Sequence, residues 1–303
     1  MKATMSQNGQ NGIPGEFFPP FDVAQPAQQL VPFVFSSPHS GRLYPPGFLA
    51  SSRLTPQALR KSEDCFVDQL FAGVVQLGAP LISARFPRAY LDLNREPYEL
   101  DPELVEDPLP AHANTQSIRV AGGLGTVARI VADGEEIYHD RLPLSAVLQR
   151  IDALYFPFHA QLARLIAETH QSFGYAILID CHSMPSAATA AGGGQRPDIV
   201  IGDRFGSSSD PRLARMVREA FAKRGYDVLM NRPYAGGYIT EHQGNPSRGV
   251  HALQIEINRG LYLDESNFRP NKRFDAMRTN LNAILAELMI SAGALFDFRA
   301  AAE

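Results

Sequence analysis

Cysteine is almost missing from this chain. Cys65 and Cys181 are the only two among 303 residues. Two thiols cannot staple a chain of this length into a disulfide framework, so a reducing compartment is the simpler expectation. Positive charge is not in surplus either. The net charge is −4; no basic stripe marks a nucleic-acid surface, and no polybasic segment marks an anionic lipid surface. No uninterrupted apolar run reaches the ~18 residues of a membrane-spanning helix. Met1 to Gln10 is polar and lacks the apolar core of a signal peptide. The expectation is a cytoplasmic, soluble protein with neither nucleic acid nor membrane as partner. Phosphate loops are missing too. Gly122-Gly-Leu-Gly125 is not followed by Lys-Ser/Thr and lacks dinucleotide spacing, so it reads as a flexible turn. No internal repeat and no interdomain linker interrupts the chain.

Hydrophobic residues make up 45% of the chain, enough for a sizeable core, and they fall in patches that alternate in period. Val31 to Ser37, Pro80 to Ala84, Ala89 to Leu93, Tyr175 to Ile179, Pro197 to Ile201, Tyr226 to Leu229 and Val250 to Ile257 read as strands. Thr55 to Leu77, Leu144 to Ser172 (with a kink or break at Pro157), Pro211 to Arg224 and Arg269 to Met289 read as helices. Strands alternating with helices predict an α/β protein with a mostly parallel mixed sheet and helices on both faces. Residues 1–29 are expected to be a tail and a wrapped extended segment. Residues 30–290 are expected to be one domain, and 291–303 a C-terminal tail. Ala187 to Gln195, small and Gly-rich, is a candidate mobile loop.

Chemistry-bearing residues collect at or just past strand ends. His39 follows the first strand in a tight Pro- and Gly-punctuated loop. Asp180 and His182 stand two apart at the end of the apolar strand Tyr175 to Ile179, so on one face. Glu256 sits near the end of Val250 to Ile257. There Leu253, Ile255 and Ile257 share one face, while Gln254 and Glu256 share the other. Asn94 and Arg95 end another predicted strand. In open α/β sheets ligands bind beyond the carboxyl ends of strands. Asp64 and Asp68 lie on the predicted helix Thr55 to Leu77, four apart and so on one face.

Six stretches in order resemble the N-formylglutamate amidohydrolase family: Ser37-Pro-His-Ser-Gly41, Ser62-Glu-Asp-Cys-Phe-Val-Asp68, Asp92-Leu-Asn-Arg95, Asp180-Cys-His-Ser183, Gly236-Gly-Tyr-Ile-Thr240 and Gln254-Ile-Glu-Ile-Asn-Arg259. The resemblance runs over roughly Val31 to Ile290. It implies kinship with the zinc carboxypeptidases and a phosphorylase/hydrolase-like, three-layer α/β/α fold. It also implies hydrolysis of an N-formyl or similar N-acyl amide on an acidic amino acid, a small-molecule substrate, with Zn²⁺ or another divalent metal.

The resemblance assigns His39, Asp64 and His182 as metal ligands, with Asp68 the local rival for the carboxylate. Two imidazoles and a carboxylate suit catalytic zinc. Glu256 is the expected general base. Arg95 is the first candidate for gripping substrate carboxylates, and Arg88, Arg259, Asn94 and Tyr238 complete that set. Asp180 is expected behind the ligands, orienting them. The chain has no His-x-x-Glu pair, so its carboxylate ligand must arrive from a distant segment. Competing expectations are a cysteine hydrolase using Cys181 with His251 or His242 as base, a metallohydrolase of another N-acyl amino acid or peptide, and a non-catalytic carboxylate-binding protein on the same scaffold.

Overall fold

A computed structural model describes residues 13–131, 134–188, 194 and 196–300, and the side chains of all of these but 297–300. The expected tail over residues 1–12 and most of the expected loop at 187–195 lie outside that range. Taken over the described residues, the chain forms two compact units interleaved in sequence. One unit comprises Met1–Asp22, Gly41–Glu63 and Ala84–Ala160; the other comprises Val23–Ser40, Asp64–Ser83 and Gln161–Glu303.

The second unit is built on the sheet, whose residues Phe21, Asp22 and Ala84 count to the first unit. Its strands are β1 (Phe21–Ala24), β2 (Phe33–Ser37), β3 (Leu81–Ala84), β4 (Ala176–Met184), β5 (Ile199–Gly202), β6 (Val228–Met230) and β7 (Val250–Asn258). Their order is β1-β3-β2-β4-β7-β5-β6. Pairings β2–β3, β2–β4, β4–β7 and β5–β6 are parallel, and β5–β7 is antiparallel. A mixed, mostly parallel sheet with helices is the expected α/β class. All nine residues of β4 are buried, as a central strand covered on both faces requires.

Alternation sorts the side chains. Phe33, Phe35, Ile177, Ile179, Cys181, Leu253, Ile255 and Ile257 enter one apolar core. Its helical half comes from Val67–Phe71, Pro211–Ala222 and Phe274–Ala300. Helix Pro211–Ala222 starts where the sequence says it should. Asp210 caps it by accepting from the Arg212 N–H, Pro211 fills the first turn, and Leu213, Val217 and Phe221 form its buried stripe. The opposite sheet face carries Asp180, His182, Gln254 and Glu256 and meets the short helix Tyr238–Gln243.

The closing helix runs to Ala300 rather than stopping at Met289. Ala292 and Phe296 extend its buried stripe past that point and hold those turns on the core. Among the described residues, it is the one helix long and apolar enough to cross a membrane. Its Leu281, Ile284, Leu285 and Leu288 are buried in the core instead.

The other unit, by itself, has short helices and a core of rings. Phe17 packs on Tyr90 at 4.8 Å and Phe48 on Tyr90 at 5.1 Å, between ring centroids. The buried Arg150 guanidinium lies 3.9 Å over the Tyr90 ring and donates to the Tyr138 hydroxyl, a cation–π arrangement.

Three other expected elements come out differently. The helix Thr55 to Leu77 is broken into Pro56–Leu59 and Val67–Phe71, with 3₁₀ turns behind each. Glu63 is extended, Phe66 is left-handed at φ 62°, and the Asp64 N–H turns away to donate to the His39 carbonyl. Asp64 and Asp68 therefore do not share one helix face. Ala89 to Leu93 is a turn, not a strand: Tyr90 N–H returns to Pro87 O, and the Asp92 side chain accepts from Asn94 N–H. At Pro157 the helix does not break. A π-helical turn, Ile151–Tyr155, precedes Phe156–Phe173, and its wider i→i+5 bonding absorbs the amide that proline lacks.

Candidate active site

The loop after β2 delivers His39, the broken helix delivers Asp64, and the end of β4 delivers His182. Potential ligand atoms of these three residues all lie within 4.8 Å of one another, and all three residues are buried. Asp64 Oδ2 is 2.9 Å from His182 Nδ1 and 3.4 Å from His39 Nδ1. The rings of His39 and His182 meet edge-on, 4.9 Å between centroids. Asp68 is not in this cluster; its N–H donates to Ser40 Oγ.

The surroundings fix each member. His182 Nε2 lies 2.7 Å from the fully buried Asp180 Oδ2, which fixes the ring through its Nε2–H and turns Nδ1 toward Asp64. Asp64 Oδ1 accepts from Arg259 Nη2 and from Ser183 Oγ, each at 3.2 Å. Arg259 Nε donates to the same Ser183 Oγ. Oδ1 is thus held from behind while Oδ2 faces the two imidazoles. Burial raises the Asp64 carboxyl, but hydrogen bonds and charge from His182 and His39 outweigh it and hold the group well below the ordinary carboxylate range. Burial pushes His182 down, yet Asp180 and Asp64, with Glu256 behind them, carry it well above the ordinary imidazole value.

Lone pairs converging on one buried point repel unless a proton or a cation sits among them. Two imidazoles and one carboxylate oxygen form a donor set that fits a divalent ion of the zinc type. The residues present therefore fit the metal that the sequence led us to expect.

Glu256 stands beside this cluster. In the parallel β4–β7 ladder, His182 and Glu256 are direct register partners, and so are Asp180 and Gln254. Side chains of register partners share a face, with neighbouring strands about 4.8 Å apart. Glu256 Oε1 accepts from Gln254 Nε2 at 2.8 Å. Tyr238, at the start of its short helix, stacks on His242 at 4.9 Å and lies 3.3 Å from its Nδ1 through the hydroxyl.

Arg259 was expected on the substrate. It is buried among the residues of the cluster, where its Nε donates to Ser183 and its Nη2 to Asp64. A guanidinium bonded to a buried carboxylate positions that carboxylate.

Arg88, Asn94 and Arg95 belong to the other unit. There Arg88 Nε donates to Asp92 Oδ2 at 2.8 Å, and Arg95 Nη2 lies 3.4 Å from the same oxygen. Arg95 also donates to the carbonyls of Leu124 and Asn94. Burial lowers its pKa to about 10 against the pull of Asp92.

Cys181 points into the apolar core, away from His182, and burial with the nearby Asp180 charge pushes its thiol up. A neutral thiol among aliphatic side chains is a poor nucleophile. His251 stacks on Phe296 at 4.6 Å and accepts from Asp210 N–H.

Ser183 and Gln254, which hydrogen-bond Asp64 and Glu256, have no part in the expected site. Both lie inside the motif stretches, and the period of two put Gln254 on the Glu256 face.

A mostly parallel sheet that presents histidines and carboxylates at the ends of its central strands is the frame of an α/β enzyme. Comparison with known proteins narrows this. The N-formylglutamate amidohydrolase family model matches residues 31–263, and the chain belongs to that family. It is 32% identical over 238 residues to an N-formylglutamate deformylase of Pseudomonas aeruginosa, covering 78% of this chain and 83% of that one. A deformylase of the same name from Pseudomonas putida is 29% identical over 246 residues, covering 79% of this chain and 84% of the relative. The crystal structure of an N-formylglutamate amidohydrolase from Ralstonia eutropha JMP134 superposes with a TM-score of 0.84 at 33% identity, over 90% of this chain and 99% of that one.

Proposed function

We propose that this chain hydrolyses the N-formyl amide of N-formylglutamate, or a similar N-acyl bond on an acidic amino acid, to the free amine and the carboxylic acid. The convergence of His39, Asp64 and His182 carries this reading. The names of the relatives support the substrate class. His39, Asp64 and His182 would hold a divalent ion, zinc first. When bound, such an ion supplies Lewis acidity for the carbonyl and lowers the pKa of water.

The chain's own residues do the rest. Asp180 holds the His182 ring in one tautomer, and Arg259 with Ser183 holds Asp64. Glu256 takes a proton from the attacking water as the new C–O bond forms. It returns that proton to the amide nitrogen as the C–N bond breaks, so one carboxylate serves as base and then as acid. Tyr238, Arg88, Asn94 and Arg95 are proposed to recognise the amino-acid part of the substrate. Arg88, with a side chain 27% exposed against 10% for Arg95, is the more open residue of the two. The proposed setting is the cytoplasm, with a small molecule as the only substrate.

The test is Glu256→Gln in metal-loaded protein, assayed on N-formylglutamate beside N-acetyl and dipeptide analogues. Turnover should fall by roughly 10²–10⁴-fold, the usual share of a general acid–base group. Metal content should stay unchanged. Near wild-type turnover would rule Glu256 out as the base. Preference for a dipeptide would move the reaction to a peptide hydrolase, and tight metal with no hydrolysis would leave a binding protein.

A further inference from the structure

We propose that Gln254 is the positioning residue of the general base, linking the Glu256 carboxylate to the backbone of the Gly236–Gly237 loop. The inference rests on the reading of Glu256 given above and goes beyond it.

The geometry is a two-link chain. The Gly237 N–H donates to Gln254 Oε1 at 2.8 Å, and Gln254 Nε2 donates to Glu256 Oε1 at 2.8 Å. Gly237 N–H can only donate, so it fixes which way the amide lies: oxygen to the loop, nitrogen to the carboxylate. Gln254 is 4% exposed and Glu256 is 7% exposed, so water does not readily substitute for either link. The terminal torsion of a glutamate is soft and broad. A donor fixed at one carboxylate oxygen removes that freedom and aims the other oxygen.

The loop itself is built to present that N–H. Gly202 is the β5 register partner of Gln254. A Cβ there would lie 2.6 Å from both Ala235 C and Gly236 N, so only glycine lets the loop lie against the sheet at this spot. Gly236 has φ +112°, outside the range of ordinary side chains. Arg204 also holds the loop, by its N–H to Ala235 O at 2.8 Å and its Nη1 to Gly236 O at 3.2 Å. Tyr238 follows directly. The loop that carries a proposed substrate contact is thereby the anchor for the base.

Two variants of the full, metal-loaded protein test this. Gln254→Leu removes both links at similar volume. Gln254→Glu keeps an acceptor for Gly237 and replaces the neutral amide donor to Glu256 with a second carboxyl group, which competes with Glu256 for its proton. Each should lower kcat about ten- to a hundredfold, the order expected when a reacting group is held off its geometry. KM should stay within about threefold, since the loss is in the reaction step rather than in substrate binding. In a Glu256→Gln background neither change should lower kcat further, because residues acting as one unit are not additive. Should Gln254→Leu fail to fold, Gln254→Glu carries the test. Wild-type kcat in a folded Gln254 variant, a loss confined to KM, or an equal loss in both backgrounds would overturn the proposal while Glu256→Gln still shows its own defect. Near wild-type turnover in Glu256→Gln alone would overturn the base assignment, and this inference with it.

Discussion

Replacing Asp180 tests whether it works through His182. Its Oδ2 lies 2.7 Å from His182 Nε2, and the residue is fully buried. No other role in the chemistry is assigned to it. The bond is charge-assisted, so it fixes the ring and raises the basicity of Nδ1, the nitrogen turned to Asp64. Asp180→Ala removes both effects. Removing such a partner typically weakens metal binding about 10- to 100-fold, or roughly 1.4–2.8 kcal/mol at 1.4 kcal/mol per tenfold. Asp180→Asn keeps an acceptor for Nε2–H and loses only the charge. Charge-assisted bonds are about twice as strong as neutral ones, so its loss should be about half in free energy, or roughly 3- to 10-fold. The assay is a competition titration of zinc against a chromogenic chelator, with thermal melts to confirm folding. The ordering wild type, Asn, Ala is the signature. Folded variants with wild-type zinc affinity would refute the idea that Asp180 acts through His182.

Two further outcomes are expected. Cys181→Ala should keep kcat within roughly threefold, and thiol alkylation should leave the wild-type enzyme active, because a buried core thiol is inert; loss of turnover with metal retained would restore the cysteine mechanism. Asp210→Ala removes the cap and the Arg212 pair of helix Pro211–Ala222. It should cost about 1 kcal/mol, measured by urea unfolding, with kcat unchanged. Arg212 holds the Asp210 carboxyl at about 2 against an ordinary 3.8. A depressed carboxyl stabilises the fold only while ionised. The gap between variant and wild type should thus be full above about pH 4 and close as the pH falls toward 2. A gap independent of pH would contradict the cap.

The strands were legible because their signal is local and periodic. Ile177, Ile179 and Cys181 alternate with Leu178, Asp180 and His182, and burial of the odd set settles where the even set points. The same reasoning placed Glu256 with Gln254 and against Leu253 and Ile255. Asp64 was legible only as a position in a motif. Its apolar neighbours Leu59, Phe66, Leu70 and Val74 suggest a continuous helix, and propensity alone gives no reason to stop one there. The break comes from tertiary pairing: the Asp64 N–H bonds to the His39 carbonyl, 25 residues earlier in the chain. The Arg259–Asp64 pair was hidden for a related reason. A guanidinium past a strand end reads as a substrate grip, while its commitment to Asp64 depends on a residue 195 positions away. Pairings of that separation leave no periodic trace.

The register of two strands links the core to the chemistry. β4 and β7 run parallel, with Asp180 beside Gln254 and His182 beside Glu256. A one-residue slip of β4 would exchange its faces, sending His182 into the aliphatic core and Cys181 out toward Asp64. What forbids that slip is not the polar cluster, whose members gain stability only once together. Ile177, Ile179, Leu253, Ile255 and Ile257 forbid it. Each is fully buried, and each contributes roughly 1.5–3 kcal/mol that exposure would forfeit. The apolar face can therefore set the register first. It then carries the cost of gathering two imidazoles, three carboxylates and a guanidinium on the opposite face, where they repel as much as they attract until an ion or a proton joins them.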